Sequence, residues 1–292
     1  MKLLATLRRW SRMVKLSHTL FALPFALAGA ALAAADSGIS LRQLAWIVVA
    51  MVGARNAAMG FNRLADHTLD ARNPRTGGRE LPSGSLSRRA VWIVTLSLAG
   101  LFVFATFQLS PLCGWLSPAA LAIIFGYSYT KRFTWASHLV LGLALALAPL
   151  GGWLAVSGSL SSAAWLLGGA VLLWVAGFDV LYACQDVDFD RREGLFSIPA
   201  RFGVSPALWI ARALHTGTLG ALAFVGVLAG LHPVYWAGIA IIAAVLVWEH
   251  RLVRPADLSR LDVAFFNMNG IISVIYLATI LVALLLPLAW TG

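Results

Sequence analysis

Charge is scarce in this 292-residue sequence. Asp, Glu, Lys and Arg together make up 12% of it, where a soluble domain carries about a quarter. With 60% of its residues hydrophobic, the chain has too little polar surface to cover a water-soluble globule. Cysteine is nearly absent. Cys113 and Cys184 each sit at the end of an apolar run. The alternation of runs puts them near opposite membrane faces, so no disulfide is expected, and no Cys/His spacing suggests zinc. Low-complexity tracts and long linkers are missing, which leaves no room for a separate soluble module. The period-2 alternation of a transmembrane barrel is missing too.

What is present is a series of long apolar runs. Taking about 20 residues per bilayer span, there are nine, near 17–35, 41–61, 90–110, 112–129, 137–157, 163–184, 205–228, 233–250 and 266–288. The third and fourth are divided only by Ser110 and Pro111. In lipid every backbone polar group must be satisfied internally, and helices of this length do that. The expected fold is all-α: a polytopic membrane bundle of about nine transmembrane helices, with residues 1–292 as a single domain. The first run ends "ALAAADSG", like the cleavage site of a signal peptide. Its length and Pro24 within "FALPFAL" favour a retained helix.

The formal charge of +10 raises nucleic acid as a partner, but the placement of the charge argues against it. Of 22 Lys and Arg, five precede the first run (Lys2, Arg8, Arg9, Arg12, Lys15), six lie in 62–89, two are Lys131 and Arg132, three lie in 185–204, and three are Arg251, Arg254 and Arg260. If nine helices alternate, all five groups share one side. Arg55 and Arg212 lie within runs, and Arg42 falls in the opposite connections. By the positive-inside rule, the N-terminus and the connections after spans 2, 4, 6 and 8 are cytoplasmic, in the cell inner (plasma) membrane.

The acids are more concentrated still. Eight of the 12 lie in or beside two stretches: Asp66, Asp70 and Glu80 in one, and Asp179, Asp186, Asp188, Asp190 and Glu193 in the other. If the first stretch continues span 2 as a helix, Asn62, Asp66 and Asp70 drift by only ~40° per step and share a face. Asp179, Tyr182, Asp186 and Asp190 form a second stripe, and Asp188 lies off it. Like charges at i,i+4 repel on a helix, and a cation between them makes the pair tolerable. Oxygen-only ligands suit a hard cation such as Mg²⁺, which keeps water and phosphate oxygens in its shell. Arg63, Arg72, Arg75, Arg79, Arg191, Arg192, Arg201, Lys131 and Arg132 surround the acids, and Arg favours bidentate phosphate contacts. A phosphate ester held on metal is the ligand this pattern suggests. A single D-x-x-x-D at a helix end is more often a solvated pair; two on one membrane face, each in an Arg-rich stretch, are harder to explain that way.

Three motifs then carry a family resemblance. Asn62-x-x-x-Asp66-x-x-x-Asp70 followed by "RTGGRELPSG" at 75–84 resembles the first signature of the UbiA superfamily of intramembrane prenyltransferases. Asp179-x-x-Tyr182-Ala183-x-x-Asp186-x-Asp188-x-Asp190, with Gly194 and Ser197 after it, resembles the second. Tyr127-x-x-x-Lys131-Arg132 resembles a third, after span 4. Arg63 stands where many relatives have Asp, and Phe189 separates acids that are adjacent in many. "SIPARFG" and "GFNRLAD" look closest to the 4-hydroxybenzoate polyprenyltransferase-like branch, some of whose members prenylate 1,4-dihydroxy-6-naphthoate.

The resemblance implies transfer of a polyprenyl group from a polyprenyl diphosphate to an aromatic acid, in ubiquinone or menaquinone biosynthesis. It implies that Asp66, Asp70, Asp186 and Asp190 hold two Mg²⁺ on the diphosphate. Asn62 would assist, and Arg75, Arg79 and Lys131 would stabilise the leaving group. Asp186 or Asp188 would take the ring proton or orient the acceptor, Arg132 would bind the acceptor carboxylate, and Asp179 would line the cavity. Tyr127 and Tyr182 would be divided between site and interface, and Arg55 would point into the pocket. The partners are then the prenyl diphosphate, the aromatic acid and the bilayer. The same fold with haem, chlorophyllide or homogentisate as acceptor is one rival. A transporter is another, but it would want ionisable or broken-helix positions at the midplane of several spans. Asn267 and Asn269 read as helix–helix hydrogen bonders, and His18 and His215 as structural.

Overall fold

The computed structural model describes residues 10, 13, 19–255, 257–261 and 268–286. Nine long helices among the described residues match the nine apolar runs: α1 (Thr19–Ser37), α2 (Leu41–Ala65), α4 (Arg88–Leu109), α5 (Pro111–Thr130), α6 (Ser137–Ser157), α7 (Ser162–Ala183), α10 (Val204–Leu228), α11 (Val234–Leu252) and α12 (Asn269–Leu285). Three short helices, α3 (His67–Arg72), α8 (Val187–Arg192) and α9 (Ile198–Phe202), lie in the two acid-rich connections. Seven of the long helices are long and apolar enough to cross a membrane; α1 and α12 are shorter over their apolar parts, Ala22–Ala35 and Asn269–Leu285. Asn267, His18 and the basic residues before the first helix, Lys2 to Lys15, lie outside the described residues.

Serine starts many of these helices. Ser40, Ser87, Ser110 and Ser161 each accept a hydrogen bond from a backbone amide of the first turn, satisfying a donor that has no partner in the helix. Ser110 explains how α4 and α5 can be joined by one residue. It ends α4, caps α5, and is followed by Pro111 at the first helical position, where a missing N–H costs nothing.

α7 is the most buried of the candidate spans, with α6 on one flank and α10 on the other. The core on that side holds Trp174, Phe25, Tyr276, Tyr235 and Leu167. Phe25 of α1 stacks on Tyr276 at 5.2 Å and meets Trp174 at 5.0 Å, so α1 packs into the bundle core. α1 and α6 approach closely because both present glycine. A Cβ added at Gly152 would collide with the Ala26 carbonyl, and one at Gly29 with the Pro149 carbonyl. Small residues allow such approach where lipid supplies no hydrophobic drive between helices. Gly152→Leu is therefore expected to destabilise the detergent-solubilised protein by about 1–3 kcal/mol. Gly169→Ala, where an added Cβ meets nothing within 4 Å, is expected to leave the melting temperature near wild type.

Polar contacts tie the other helices. Asn269 donates to Glu249 at 3.4 Å between α12 and α11. His215 on α10 contacts the Trp174 carbonyl of α7 at 3.2 Å and His250 of α11 at 3.0 Å. Asn269 and His215 thus act as interhelical ties. Two smaller apolar clusters sit under the acid-rich connections. Leu64, Leu81, Leu86 and Val91 support the first. Val180, Leu181, Cys184, Ile198, Ala207 and Leu261 support the second. Both connections are thereby fixed at one end of the bundle.

Candidate active site

A continuous helix through Asn62, Asp66 and Asp70 is not what forms. α2 stops at Ala65, and Asp66 takes φ −94°, ψ 6° before α3 begins. The second stretch does the same. α7 stops at Ala183, a 3₁₀ turn covers Cys184–Asp186, and Asp186 takes φ −106°, ψ 8° before α8 begins. The two breaks fall on the first carboxylate of each pair with nearly the same dihedrals, in the sparsely used bridge region. The i→i−4 ladder survives the first break, since Asp66 N–H donates to Asn62 O at 2.9 Å and Asp70 N–H to Asp66 O at 2.7 Å. Each pair therefore keeps its stripe while the chain bends.

Four carboxylates face five cationic side chains. Arg79 Nη1 donates to both oxygens of Asp70, at 2.7 and 2.9 Å, with Arg63 3.7 Å from the same carboxylate. Arg75 grips Asp186 through two nitrogens, Nε lying 3.1 Å from Oδ1, and its Nη1 donates to the Tyr182 hydroxyl at 2.9 Å. Arg132 is 3.3 Å from Asp66. Asn62 donates to Asp66 at 3.0 Å. Asp190 accepts from Ser197 Oγ at 2.9 Å; its buried Oδ1 makes no hydrogen bond and has Lys131 Nζ at 3.6 Å. Burial pushes the Asp66 carboxyl above its usual range; Asp70 adds to the rise, and Lys131 and Arg132 oppose it. Two acidic segments more than 100 residues apart are thus tied by cations. Asn73 adds a direct link, donating to Asp186 Oδ1 at 3.0 Å.

These groups form the mouth of a cavity of about 740 Å³. Asn62, Asp66, Asp70, Arg75, Arg79, Tyr127, Lys131, Tyr182, Asp186 and Asp190 all line it, and so do Arg55 and Asp179. Arg55 is seven residues before Asn62 on α2, and Asp179 seven before Asp186 on α7. At 1.5 Å per residue, each lies roughly 10 Å deeper along its helix. Below them the walls are apolar, with Ala54, Ile124, Ala144, Leu147 and Ala148 among the lining residues. Leu116, Leu143 and Trp165 line the cavity and are also exposed on the outside of the bundle, so the apolar end reaches the bundle surface.

Two expected site residues are not brought to the cavity. Asp188 is exposed and points off the stripe, as its spacing requires. Arg132 is occupied with Asp66 and the Ala65 carbonyl at the rim. Two residues that sequence reasoning passes over do belong to the site. Asn73 joins the two acidic segments. Buried His138 lines the cavity beside Asp179, with Nδ1 2.7 Å from Asp179 Oδ2. Both act through contacts between distant segments, for which the sequence carries no local signal.

The donor set suits a hard divalent cation. Every candidate ligand is a carboxylate or amide oxygen, and the Asp190 Oδ1 atom is buried without a hydrogen bond. Among the described residues no group of three or more His, Cys, Asp or Glu side chains could cage a metal unaided. That matches an ion which takes one or two protein carboxylates and completes its shell with substrate phosphate and water.

A helical membrane bundle with two acidic helix breaks over an apolar chamber is the class this architecture defines. The model of the UbiA prenyltransferase family matches residues 22–271, and the chain belongs to that family. It is similar to 4-hydroxybenzoate solanesyltransferase from Synechocystis sp., at 36% identity over 75% of each chain. It is also similar to 4-hydroxybenzoate octaprenyltransferase from Aromatoleum aromaticum, at 30% identity over 88% of this chain and 87% of that one. Among solved structures, the apo structure of a UbiA homolog from Aeropyrum pernix K1 superposes with a TM-score of 0.83 at 35% identity, covering 91% of this chain and 97% of that one. A UbiA homolog from Archaeoglobus fulgidus bound to DMAPP and Mg²⁺ shares the fold, with a TM-score of 0.72 at 19% identity, covering 94% of this chain and 99% of that one.

Proposed function

We propose that this prenyltransferase moves a polyprenyl group from a polyprenyl diphosphate to 4-hydroxybenzoate, as ubiquinone biosynthesis requires, with the whole of 1–292 as one domain. The observation that carries the reading is the pairing of acidic helix breaks and Arg side chains at the mouth of an apolar cavity. A diphosphate with a long hydrocarbon tail has that same division of chemistry. The names of the relatives above favour 4-hydroxybenzoate over 1,4-dihydroxy-6-naphthoate and over haem, chlorophyllide or homogentisate.

In this reading Asp66, Asp70, Asp186 and Asp190 would hold two Mg²⁺, with Asn62 orienting Asp66. Bound there, Mg²⁺ supplies charge neutralisation of the departing diphosphate. Arg75, Arg79 and Lys131 add donors aimed where negative charge grows as the C–O bond breaks. Tyr182 holds Arg75 in place. The apolar walls take the isoprenoid and keep water from the allylic cation. Arg55, deeper in the pocket, takes the acceptor carboxylate in place of Arg132, which is engaged at the rim. Asp179 takes the ring proton, because Asp186 is tied to Arg75 and Asn73, and Asp188 faces away. The N-terminus and the acid-rich connections lie on the cytoplasmic side of the inner membrane, where the positive-inside rule places them.

The test is incubation of membranes containing the protein with labelled polyprenyl diphosphate, Mg²⁺ and a panel of aromatic acids that includes 4-hydroxybenzoate and 1,4-dihydroxy-6-naphthoate. A product with the mass of prenylated 4-hydroxybenzoate, lost on chelation of the metal, is expected. Prenylation of another acceptor alone, or transfer that survives chelation, would overturn the assignment.

A further inference from the structure

His138 has two ring nitrogens with different partners, and together they fix its tautomer. The Ile198 amide N–H donates to Nε2 at 3.2 Å. A backbone amide can only donate, so Nε2 carries a lone pair and the imidazole proton resides on Nδ1. Nδ1–H then donates to Asp179 Oδ2 at 2.7 Å. His138 is 3% exposed and stands in the first turn of α6, while Asp179 is half-buried on α7. Ile198 opens α9, whose capping residue Ser197 donates to Asp190 at 2.9 Å. One chain of contacts thus runs from Asp190 at the mouth through Ser197, Ile198 and His138 to Asp179 inside.

We infer that His138 is a positioning residue for the transfer reaction: it holds Asp179, which lines the cavity, by one carboxylate oxygen, Oδ2, and leaves the other, Oδ1, to receive the ring proton. The inference rests on the function proposed above. In that reaction the C1–O bond of the prenyl diphosphate breaks and its electron pair leaves on the diphosphate. The ring carbon beside the phenol oxygen supplies the pair for the new C–C bond. The proton on that carbon passes to Asp179 Oδ1, and its bonding pair restores the aromatic ring. An imidazole with its proton on the wrong nitrogen, or none, would let the carboxylate turn away, and small misplacements of a reacting group cost rate steeply.

The bland alternative is that His138 only satisfies the first amide of α9, which has no partner in its own helix. Two substitutions in the full-length protein separate the readings. His138→Asn places an amide nitrogen near the position of Nδ1 and keeps the donor to Asp179, while giving up the acceptor for Ile198. His138→Gln places an amide oxygen near Nε2 and keeps the Ile198 bond, while giving up the donor. With 4-hydroxybenzoate as acceptor, His138→Gln is expected to lower kcat by about 100-fold. Its acceptor KM and melting temperature should stay near wild type, and its deuterium isotope effect with ring-deuterated acceptor should exceed that of wild type. His138→Asn is expected to retain most of kcat. If His138→Gln turns over like wild type with an unchanged isotope effect, or if both variants lose rate and melting temperature together, the inference is overturned while the transferase reading stands. If the wild-type protein itself makes no product, both fall.

Discussion

Asp66→Asn or Asp186→Asn is expected to lower Mg²⁺-dependent prenyl transfer by about 10²–10³-fold, as removal of one preorganised electrostatic group does. The protein should still fold. Asparagine keeps the volume of the side chain and an oxygen for Arg132 or Arg75, which sit on Asp66 and Asp186. Alanine would strand those guanidiniums beside a partly buried pocket, and breaking such a pair by removing one partner costs about 3–5 kcal/mol where burial is complete. The Asn variants therefore separate loss of chemistry from loss of structure. Product formation at saturating donor checks the first, and a melting curve in detergent checks the second. Near-wild-type turnover in either variant would remove these carboxylates from the reaction.

Arg55→Leu is expected to act on the other substrate. A charge-assisted hydrogen bond contributes about 1.5–3 kcal/mol, so losing the partner of the acceptor carboxylate should raise the acceptor KM by about 10–100-fold. The donor KM should change little, because Arg75, Arg79 and Lys131 remain at the mouth. The comparison that identifies the contact is a phenol lacking the carboxylate: wild type and variant should then handle it alike. If the donor KM rises instead, Arg55 belongs to the diphosphate and the acceptor is held elsewhere.

The division of labour between these two predictions follows from depth, and depth is legible in the positions of Arg55 within the apolar run 41–61 and Asp66 just beyond its end. The runs locate all nine long helices, and Ser110-Pro111 marks a boundary that consists of a single capping residue. The stripes Asn62–Asp66–Asp70 and Asp179–Tyr182–Asp186–Asp190 are legible because side-chain direction in a helix follows spacing. The break within each stripe is not, because the backbone at Asp66 and Asp186 depends on contacts from distant segments. Arg75 and Asn73, for example, reach across to Asp186.

Single residues are harder. Arg132 is a natural choice for the acceptor because it adjoins Lys131, yet one step along the chain at a helix end changes direction enough to send it to Asp66 at the rim. Asp188 adjoins the stripe and faces away for the same reason. His138 gives no sign in sequence, since its meaning lies in two bonds, one to a residue 41 positions away and one to a residue 60 positions away. The likeness between the two acidic breaks is the reverse case: the repeated D-x-x-x-D spacing hints at it, and matching dihedrals at Asp66 and Asp186 make it concrete.

The most direct measurement is a crystal structure with Mn²⁺ in place of Mg²⁺ and a non-hydrolysable prenyl diphosphate analogue, phased for anomalous manganese signal. The account expects manganese beside Asp66 and Asp70 and beside Asp186 and Asp190, with the diphosphate between them and the hydrocarbon running into the apolar cavity. Manganese bound away from these four carboxylates, or a diphosphate seated elsewhere on the bundle, would contradict it.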